Sequence, residues 1–348
     1  MTRKILLVLF LLLMAGCTYT DSVKSSAPGQ LNVYNWEDYL GETTIHDFEE
    51  EAGIRVNLFT FADENLMESD VQSNPDKYDV IIASGALIQE MGELKLLAPL
   101  DHENMPNIRN IGSRFINPWY DPGNRYSVPY LWGTTGLLIN TKYVPGDTYS
   151  WSALWNKSYA GKIGMLNNKE EVIAASLKRL GYSLNTGEPD KLEQAKASML
   201  EQKPLIRGYE DPIIIRDAMI NEELWLAQEY SGEAVFATSS NADLKYVIPE
   251  EGAAIWVDNL AIPRDARNKE AAEAFINFIL RPDVSAEIAN YLHYANTNEA
   301  AKQFTDKQIL ADRGLYPSKG VTDRLEGYHN ASRLAAEYNK IWAAVQAG

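Results

Sequence analysis

The chain has 348 residues, 45% of them hydrophobic, which exceeds one comfortable core and predicts two domains. Its 48 acidic and 32 basic residues give a net charge of −16. A surface of this charge repels nucleic acid and anionic lipid, which excludes both as partners of the protein surface.

The chain begins with an export signal. Arg3 and Lys4 precede an apolar run, Ile5–Ala15, that is too short to cross a bilayer as a helix. A small residue, Gly16, then precedes Cys17, the single cysteine of the chain. This arrangement resembles the bacterial lipoprotein signal, in which the cysteine becomes the lipidated first residue.

That resemblance implies removal of residues 1–16 and lipidation of Cys17. Lipidation leaves no thiol for a disulfide, a metal site or catalysis. The alternative is an ordinary secretory signal with an incidental cysteine. Residues 17–29 are small and polar, which predicts a flexible tether between the lipid and the folded protein.

The first folded segments alternate between strands and helices. Strands are predicted at Leu31–Asn35, Ile54–Thr60 and Tyr78–Ala83, and helices at Thr43–Ala52 and Leu87–Leu97. The continuous apolar run of the third strand is typical of a buried parallel strand. The alternation predicts an α/β domain with a mainly parallel sheet.

The second part of the chain has the same mixed character. Strands are predicted at Gly133–Asn140, Leu224–Glu229, Leu244–Ile248, Ala253–Val257 and Asn259–Pro263. Helices are predicted at Glu170–Leu180 and Asp190–Leu200, after Asn268, from Pro282, and over residues 330–346.

Familiar catalytic patterns are missing from the sequence. It contains no phosphate loop, zinc-protease helix, nucleophile elbow or cysteine cluster, and its four histidines lack metal-ligand spacing. We therefore predict no metal, no cofactor and no enzymatic activity. Carboxylates are plentiful, so an exported hydrolase that uses a pair such as Asp38 and Asp258 is an alternative.

Aromatic and acidic residues stand where predicted strands end, the place at which open α/β sheets bind ligands. Trp36 and Tyr39 flank Asp38 and share a face if the chain turns into a helix there. Trp256 and Asp258 are two apart and face one side of a strand. Rings attract ammonium groups and carboxylates bond to amines, so the pattern favours an apolar ligand with positive ends.

Four segments carry a family resemblance. They are Tyr34–Tyr39, Tyr126–Gly133, Ile255–Pro263 and Phe278–Val284. Together they resemble the bacterial spermidine/putrescine-binding proteins, the extracytoplasmic receptors of polyamine ABC importers. The resemblance implies two α/β lobes in a periplasmic-binding-protein fold, with a ligand cleft between them.

The resemblance also implies how the chain divides. Residues 30–134 with 259–300 would form the N-terminal lobe, and residues 135–258 with 301–348 the C-terminal lobe. The expected hinges are the crossing strands near Gly133–Gly136 and Asn259–Pro263.

The family's ligand contacts carry over residue by residue. The implied ligand-binding residues are Trp36, Asp38, Tyr39, Ser84, Asn168, Glu171, Tyr230, Trp256, Asp258 and Tyr294, with Glu37 and His329 as further candidates. Tyr230 stands where the family usually has a tryptophan, which keeps a ring. Asn168 stands where the family has an aspartate, Ala86 where it has a tyrosine, and Glu37 where a small hydroxyl residue is usual. These departures bear on the choice of polyamine rather than on the class of ligand.

The implied function is capture of putrescine or spermidine for import. The implied partners are permease subunits with the ATPase on separate chains. The protein would be an exported monomer, anchored to a bacterial membrane through Cys17 and facing the periplasm or cell exterior. A receptor for another solute, such as a sugar, is the alternative, because sugar sites use similar tryptophan platforms.

Overall fold

The computed structural model of the chain describes residues 29–146, 149–329 and 331–348. The predicted export signal, Cys17 and almost all of the tether lie outside the described residues. The strands are β1 (Gln30–Trp36), β2 (Arg55–Phe61), β3 (Val80–Ser84), β4 (Ser127–Asn140), β5 (Ile163–Leu166), β6 (Ile206–Glu210), β7 (Leu226–Tyr230), β8 (Leu244–Val247), β9 (Ile255–Ala261) and β10 (Ala295–Asn296).

The α helices surround these strands. They are α1 (Thr44–Ala52), α2 (Glu64–Ser73), α3 (Gly85–Glu93), α4 (Lys169–Arg179), α5 (Pro189–Gln202), α6 (Pro212–Ile220), α7 (Ser231–Ser240), α8 (Lys269–Ile279), α9 (Pro282–Leu292), α10 (Lys307–Ala311), α11 (Lys319–Thr322) and α12 (Ala331–Ala347). Within the described ranges, none of these helices is both long and apolar enough to cross a membrane.

The sheet has two parallel parts joined by one long strand. Its order is β2-β1-β3-β9-β4-β7-β5-β6, with β8 and β10 also paired to β4. From Ser127 to Thr134, β4 pairs with β9, and from Thr135 to Ile139 it pairs with β7. β1 is parallel to β2 and β3, and β5 is parallel to β6 and β7. The expected two-lobe α/β fold is confirmed.

Each lobe has its own hydrophobic core. In the N-terminal lobe Val33 of β1 and Ile82 of β3 pack with Phe275 of α8. In the C-terminal lobe Trp151 packs with Ile341 of α12. Burying a side chain of this size stabilises the fold by roughly 1.5–3 kcal/mol, so each lobe is stabilised by its own core.

One strand prediction is wrong. Residues 255–261 form the single strand β9 instead of two strands, because Val257 pairs with Trp132 while Asp258 pairs with Ser84 without a break. Asn259 and the residues after it are held between β3 and β4 inside the N-terminal lobe.

One helix prediction also differs from the structure. α3 ends at Glu93 and not at Leu97, because Lys95 has a left-handed φ of 56° that α helices do not allow. No helix follows Trp36, since Asp38 turns the chain with a φ of 51°.

Candidate ligand-binding site

Four aromatic rings from separate parts of the chain lie in contact. Tyr39 follows β1, Tyr230 ends β7, Trp256 lies in β9 and Tyr294 follows α9. Centroids are 5.6 Å apart for Tyr39 and Tyr294, 5.6 Å for Tyr294 and Trp256, and 5.9 Å for Trp256 and Tyr230. We call these four side chains the ring group. All four are half-buried, and they span the junction between the lobes.

Two glycines make room for the ring group. A Cβ on Gly133 of β4 would lie 2.3 Å from the Trp256 indole, and a Cβ on Gly232 would lie 2.2 Å from the Tyr294 ring. Real Cβ atoms do not approach other atoms so closely. The backbone of β4 and the first turn of α7 therefore form the surfaces against which these two rings rest.

Asp258 stands beside the ring group. It lies two residues after Trp256 in β9, its side chain is 8% exposed, and its Oδ2 accepts a hydrogen bond of 2.8 Å from the Tyr39 hydroxyl. Burial raises the pKa of Asp258 to about 6, against the lowering effect of Tyr39. A nearby cation would relieve this cost of ionisation.

Ser84 is hydrogen-bonded to a second carboxylate, which the sequence analysis missed. Glu64 begins α2, and its Oε1 and Oε2 accept hydrogen bonds from the Ser84 amide (2.6 Å) and hydroxyl (2.8 Å). Burial, and then the negative charge of Asp258, raise the pKa of Glu64 to about 7. The sequence feature that could have indicated a helix beginning at Glu64 is the helix-capping residue Asp63. The Asp63 side chain accepts hydrogen bonds from two backbone amides of the first turn.

Glu171 lies on the C-terminal lobe side of the site. It is 5% exposed in the first turn of α4, and Asn168 caps that helix by accepting the Glu171 amide at 3.1 Å. Burial raises the pKa of Glu171 to about 7, while the hydroxyls of Tyr328 and Thr135 oppose the rise. Asn168 thus positions Glu171 through the backbone. Tyr328 and Thr135 are further residues that the sequence analysis did not select.

These carboxylates have no basic counterpart. Among the described residues, no Lys, Arg or His forms a salt bridge with Glu64, Glu171 or Asp258. Glu170, whose charge also raises the pKa of Glu64 and Glu171, is paired with Lys169 at 3.2 Å. Buried charges are ordinarily paired, so buried carboxylates without a basic partner favour a cationic ligand.

Other predicted residues stand apart from the ring group. The Trp36 ring packs on Phe61 with 4.5 Å between the ring centroids, and the buried indole N–H of Trp36 has no hydrogen-bond partner among the described residues. Glu37 and Asp38 are exposed on the turn after β1. His329 stacks on Trp119, with 4.1 Å between centroids, in an exposed position.

The site has the chemistry of a binding site for a cation that also carries apolar groups. The ring group offers apolar faces for methylene groups and π faces for ammonium groups. Asp258 and Glu64 supply negative charge on one side and Glu171 on the other. Within the described residues, no group of three or more His, Cys, Asp or Glu is arranged to hold a metal ion.

Comparison with known proteins agrees with this chemistry. Residues 43–315 match the family model described as bacterial extracellular solute-binding protein. The spermidine/putrescine-binding periplasmic protein of Salmonella typhimurium is 30% identical over 91% of this chain and 92% of its own length.

Solved structures of similar proteins have the same fold. The spermidine/putrescine ABC transporter substrate-binding protein PotD of Streptococcus pneumoniae is 32% identical, with a TM-score of 0.82 over 91% of this chain and 98% of its own. The TpPotD lipoprotein of Treponema pallidum is 28% identical, with a TM-score of 0.82 over 91% and 99%.

Proposed function

This chain belongs to the bacterial extracellular solute-binding proteins, and from that premise we propose that it is a receptor that binds putrescine and spermidine and delivers them to an ABC importer. The observation that carries the proposal is a set of three carboxylates without a basic partner around the ring group: Glu171 and Asp258, which are buried, and the half-buried Glu64. A polyamine supplies the missing cations at its ends and methylenes for the rings between them. The names of the two spermidine/putrescine relatives support the same ligand class.

The lobes would close on the ligand. Tyr39 and Asp258 belong to the N-terminal lobe, and Tyr230 and Glu171 to the C-terminal lobe, so one bound polyamine contacts both. β4 near Gly133–Gly136 is the expected hinge, since its pairing changes there from β9 to β7. We divide the lobes at this crossing and within β9 before Asp258, because Asp258 pairs with Ser84 of β3.

We further propose that the protein is not an enzyme. The example pair for the hydrolase alternative, Asp38 and Asp258, does not share one environment, because Asp38 is exposed on a turn, whereas Asp258 is buried and bonded to Tyr39. A sugar receptor would need hydrogen-bond donors for many hydroxyl groups. The buried acidic groups described above are acceptors when ionised, which suits ammonium groups better.

The finer location is also a proposal. The sequence before residue 29 supports lipidation of Cys17, and one similar structure is that of a lipoprotein. We propose that the mature monomer is held to the membrane only by this lipid and meets its permease subunits there. Cys17→Ala should release the protein from the membrane fraction, and a membrane-bound variant would contradict the proposal.

Calorimetry on ligand-stripped protein tests the function. Putrescine and spermidine should each bind at one site with micromolar or tighter affinity, and ligand-free protein should gain thermal stability with either one. A sugar panel and a hydrolase substrate screen serve as controls. Absence of binding by both polyamines, or turnover of any substrate, would overturn the proposal.

A further inference from the structure

An aromatic contact outside the ring group joins the two lobes. Trp119 and His329 stack face to face, with 4.1 Å between their ring centroids and 14° between their planes. Trp119 is 39% exposed and His329 is exposed, so this contact lies at the surface and not in the core of either lobe. We call the pair the Trp119–His329 stack.

Trp119 is fixed to the N-terminal lobe by the residue that follows it. The Tyr120 hydroxyl donates a hydrogen bond of 3.0 Å to Asn259 Oδ1, and Asn259 is held in β9 between β3 and β4. The Tyr120 ring also covers Gly85, where a Cβ would lie 2.6 Å from it. Gly85 directly follows Ser84 of the ligand site, so Trp119 is carried by a part of the lobe that borders this site.

His329 is fixed to the C-terminal lobe in a comparable way. Its backbone amide donates a hydrogen bond of 2.7 Å to Asn185 Oδ1, and Asn185 Nδ2 donates one of 2.8 Å to the Gly327 carbonyl. The intervening Tyr328 packs on a small core cluster that contains Ala174 of α4. The first turn of α4 supplies a carboxylate of the ligand site, so His329 also stands on a part of its lobe that borders the site.

The chain segments beside the stack also face each other. A Cβ on Gly327 would lie 3.7 Å from Trp119 Nε1, which is an ordinary contact distance. Burial lowers the pKa of the Arg114 guanidinium, and the negative charge of Asp323 opposes that fall. The loop that carries Arg114 and Trp119 therefore lies against the segment that carries Asp323 and Gly327, across the boundary between the lobes.

Each ring of the stack is one residue away from a side chain that packs beside the ligand site. A ligand that draws the lobes together brings the rings into contact, and rotation of the lobes apart separates them. We propose that Trp119 and His329 are positioning residues that touch each other only in the closed protein and thereby slow the release of bound polyamine. This inference rests on the proposed function, and the experiment below separates the failure of one from the failure of the other.

A contact that forms only after the ligand has entered acts on release and not on association. The coupling within a stacked aromatic pair corresponds to about three- to tenfold in an equilibrium constant. In the open, ligand-free protein both rings face water, so loss of either ring should leave the stability of that state unchanged. A stack within one lobe, such as Tyr143 on Trp225 with 4.8 Å between centroids and 12° between planes, has the opposite properties because it persists in both states.

Release of radiolabelled putrescine into an excess of unlabelled putrescine tests the stack. Trp119→Leu and His329→Ala should each raise the release rate about three- to tenfold, with the association rate within about twofold of the wild type. The double variant should release no faster than the faster single variant, because the two residues form one contact. His329→Phe keeps a ring over Trp119 and should restore most of the slow release.

Trp225→Leu is the matched control, because it removes a stacked ring inside the C-terminal lobe. It should lower the denaturation midpoint of the ligand-free protein and leave the release rate unchanged, the reverse of Trp119→Leu. Folded Trp119→Leu and His329→Ala proteins that both release putrescine within about twofold of the wild-type rate would overturn the inference. A loss of ligand-free stability in Trp119→Leu as large as in Trp225→Leu would also overturn it, since the stack would then persist in the open state. A wild type that binds no putrescine would overturn the proposed function itself.

Discussion

Replacing Asp258 by asparagine should weaken ligand binding and stabilise the ligand-free protein at the same time. The change removes one negative charge but keeps the size of the side chain and an oxygen acceptor for the Tyr39 hydroxyl, now 2.8 Å from Oδ2. An ammonium that loses a buried charged partner loses about 2–5 kcal/mol of binding free energy. The dissociation constant for putrescine should therefore rise about 30-fold or more.

The stability effect has the opposite sign. The pKa of Asp258 is raised from 3.8 to about 6, mainly by burial, which corresponds to a cost of up to about 3 kcal/mol for the ionised form. Because the folded pKa lies above the unfolded one, this cost appears as the pH rises from about 4 to about 6 and is complete above that range. At about pH 8 the variant should therefore have the larger free energy of unfolding, and at about pH 4 the difference should vanish.

Both effects can be measured on protein stripped of ligand by unfolding and refolding. Denaturant titrations at the two pH values give the free energies of unfolding, and calorimetry gives the putrescine affinity. Asp243→Asn, at an exposed position, is the control that should change neither. A variant that is less stable than the wild type at about pH 8, or that binds putrescine within about threefold, would refute the assignment of Asp258 as an uncompensated charge in the ligand site.

Proton release should accompany binding at about pH 7, because burial raises the pKa of Glu64 and Glu171 to about 7 and an ammonium lowers it again. Calorimetry in buffers of different ionisation enthalpy measures the proton release, and heats that do not depend on the buffer would contradict it. The affinity for putrescine should also fall as the pH drops below about 7. Gly133→Ala should weaken putrescine at least about tenfold, since its Cβ would lie 2.3 Å from the Trp256 indole, whereas Gly92→Ala, with only an ordinary contact at 3.6 Å, should not. Putrescine should bind at least as tightly as spermidine, because Asn168 places a neutral amide where the resembling family has an aspartate; a spermidine affinity about tenfold higher would refute this. Saturating putrescine should contract the protein in small-angle scattering if the lobes close, and identical curves would count against closure.

Local patterns in the sequence were sufficient for the α/β class, whereas the two-lobe arrangement was predicted from the family resemblance. The apolar run before Ser84 and its neighbouring helices predict a buried parallel strand in an α/β lobe, because solvent exclusion on both faces requires continuous apolar residues. Trp256 and Asp258 were placed on one side of a strand by their spacing alone, since strand side chains alternate. The break predicted after Val257 was wrong, because pairing to two neighbouring strands keeps the chain extended through Asp258.

The composition of the site depended on contacts between residues that are far apart in the chain. Nothing local marks Glu64 as a neighbour of Ser84, or Tyr328 as a neighbour of Glu171, because those contacts exist only when helices and lobes pack together. The raised pKa values have the same origin, since each carboxylate is an ordinary acid until the fold removes water from around it. The sequence pattern by itself determined the α/β class and the residues at strand ends, and the family resemblance added the two lobes. The tertiary structure alone decided which carboxylates lie together without a basic partner, because that depends on how helices and strands far apart in the chain pack.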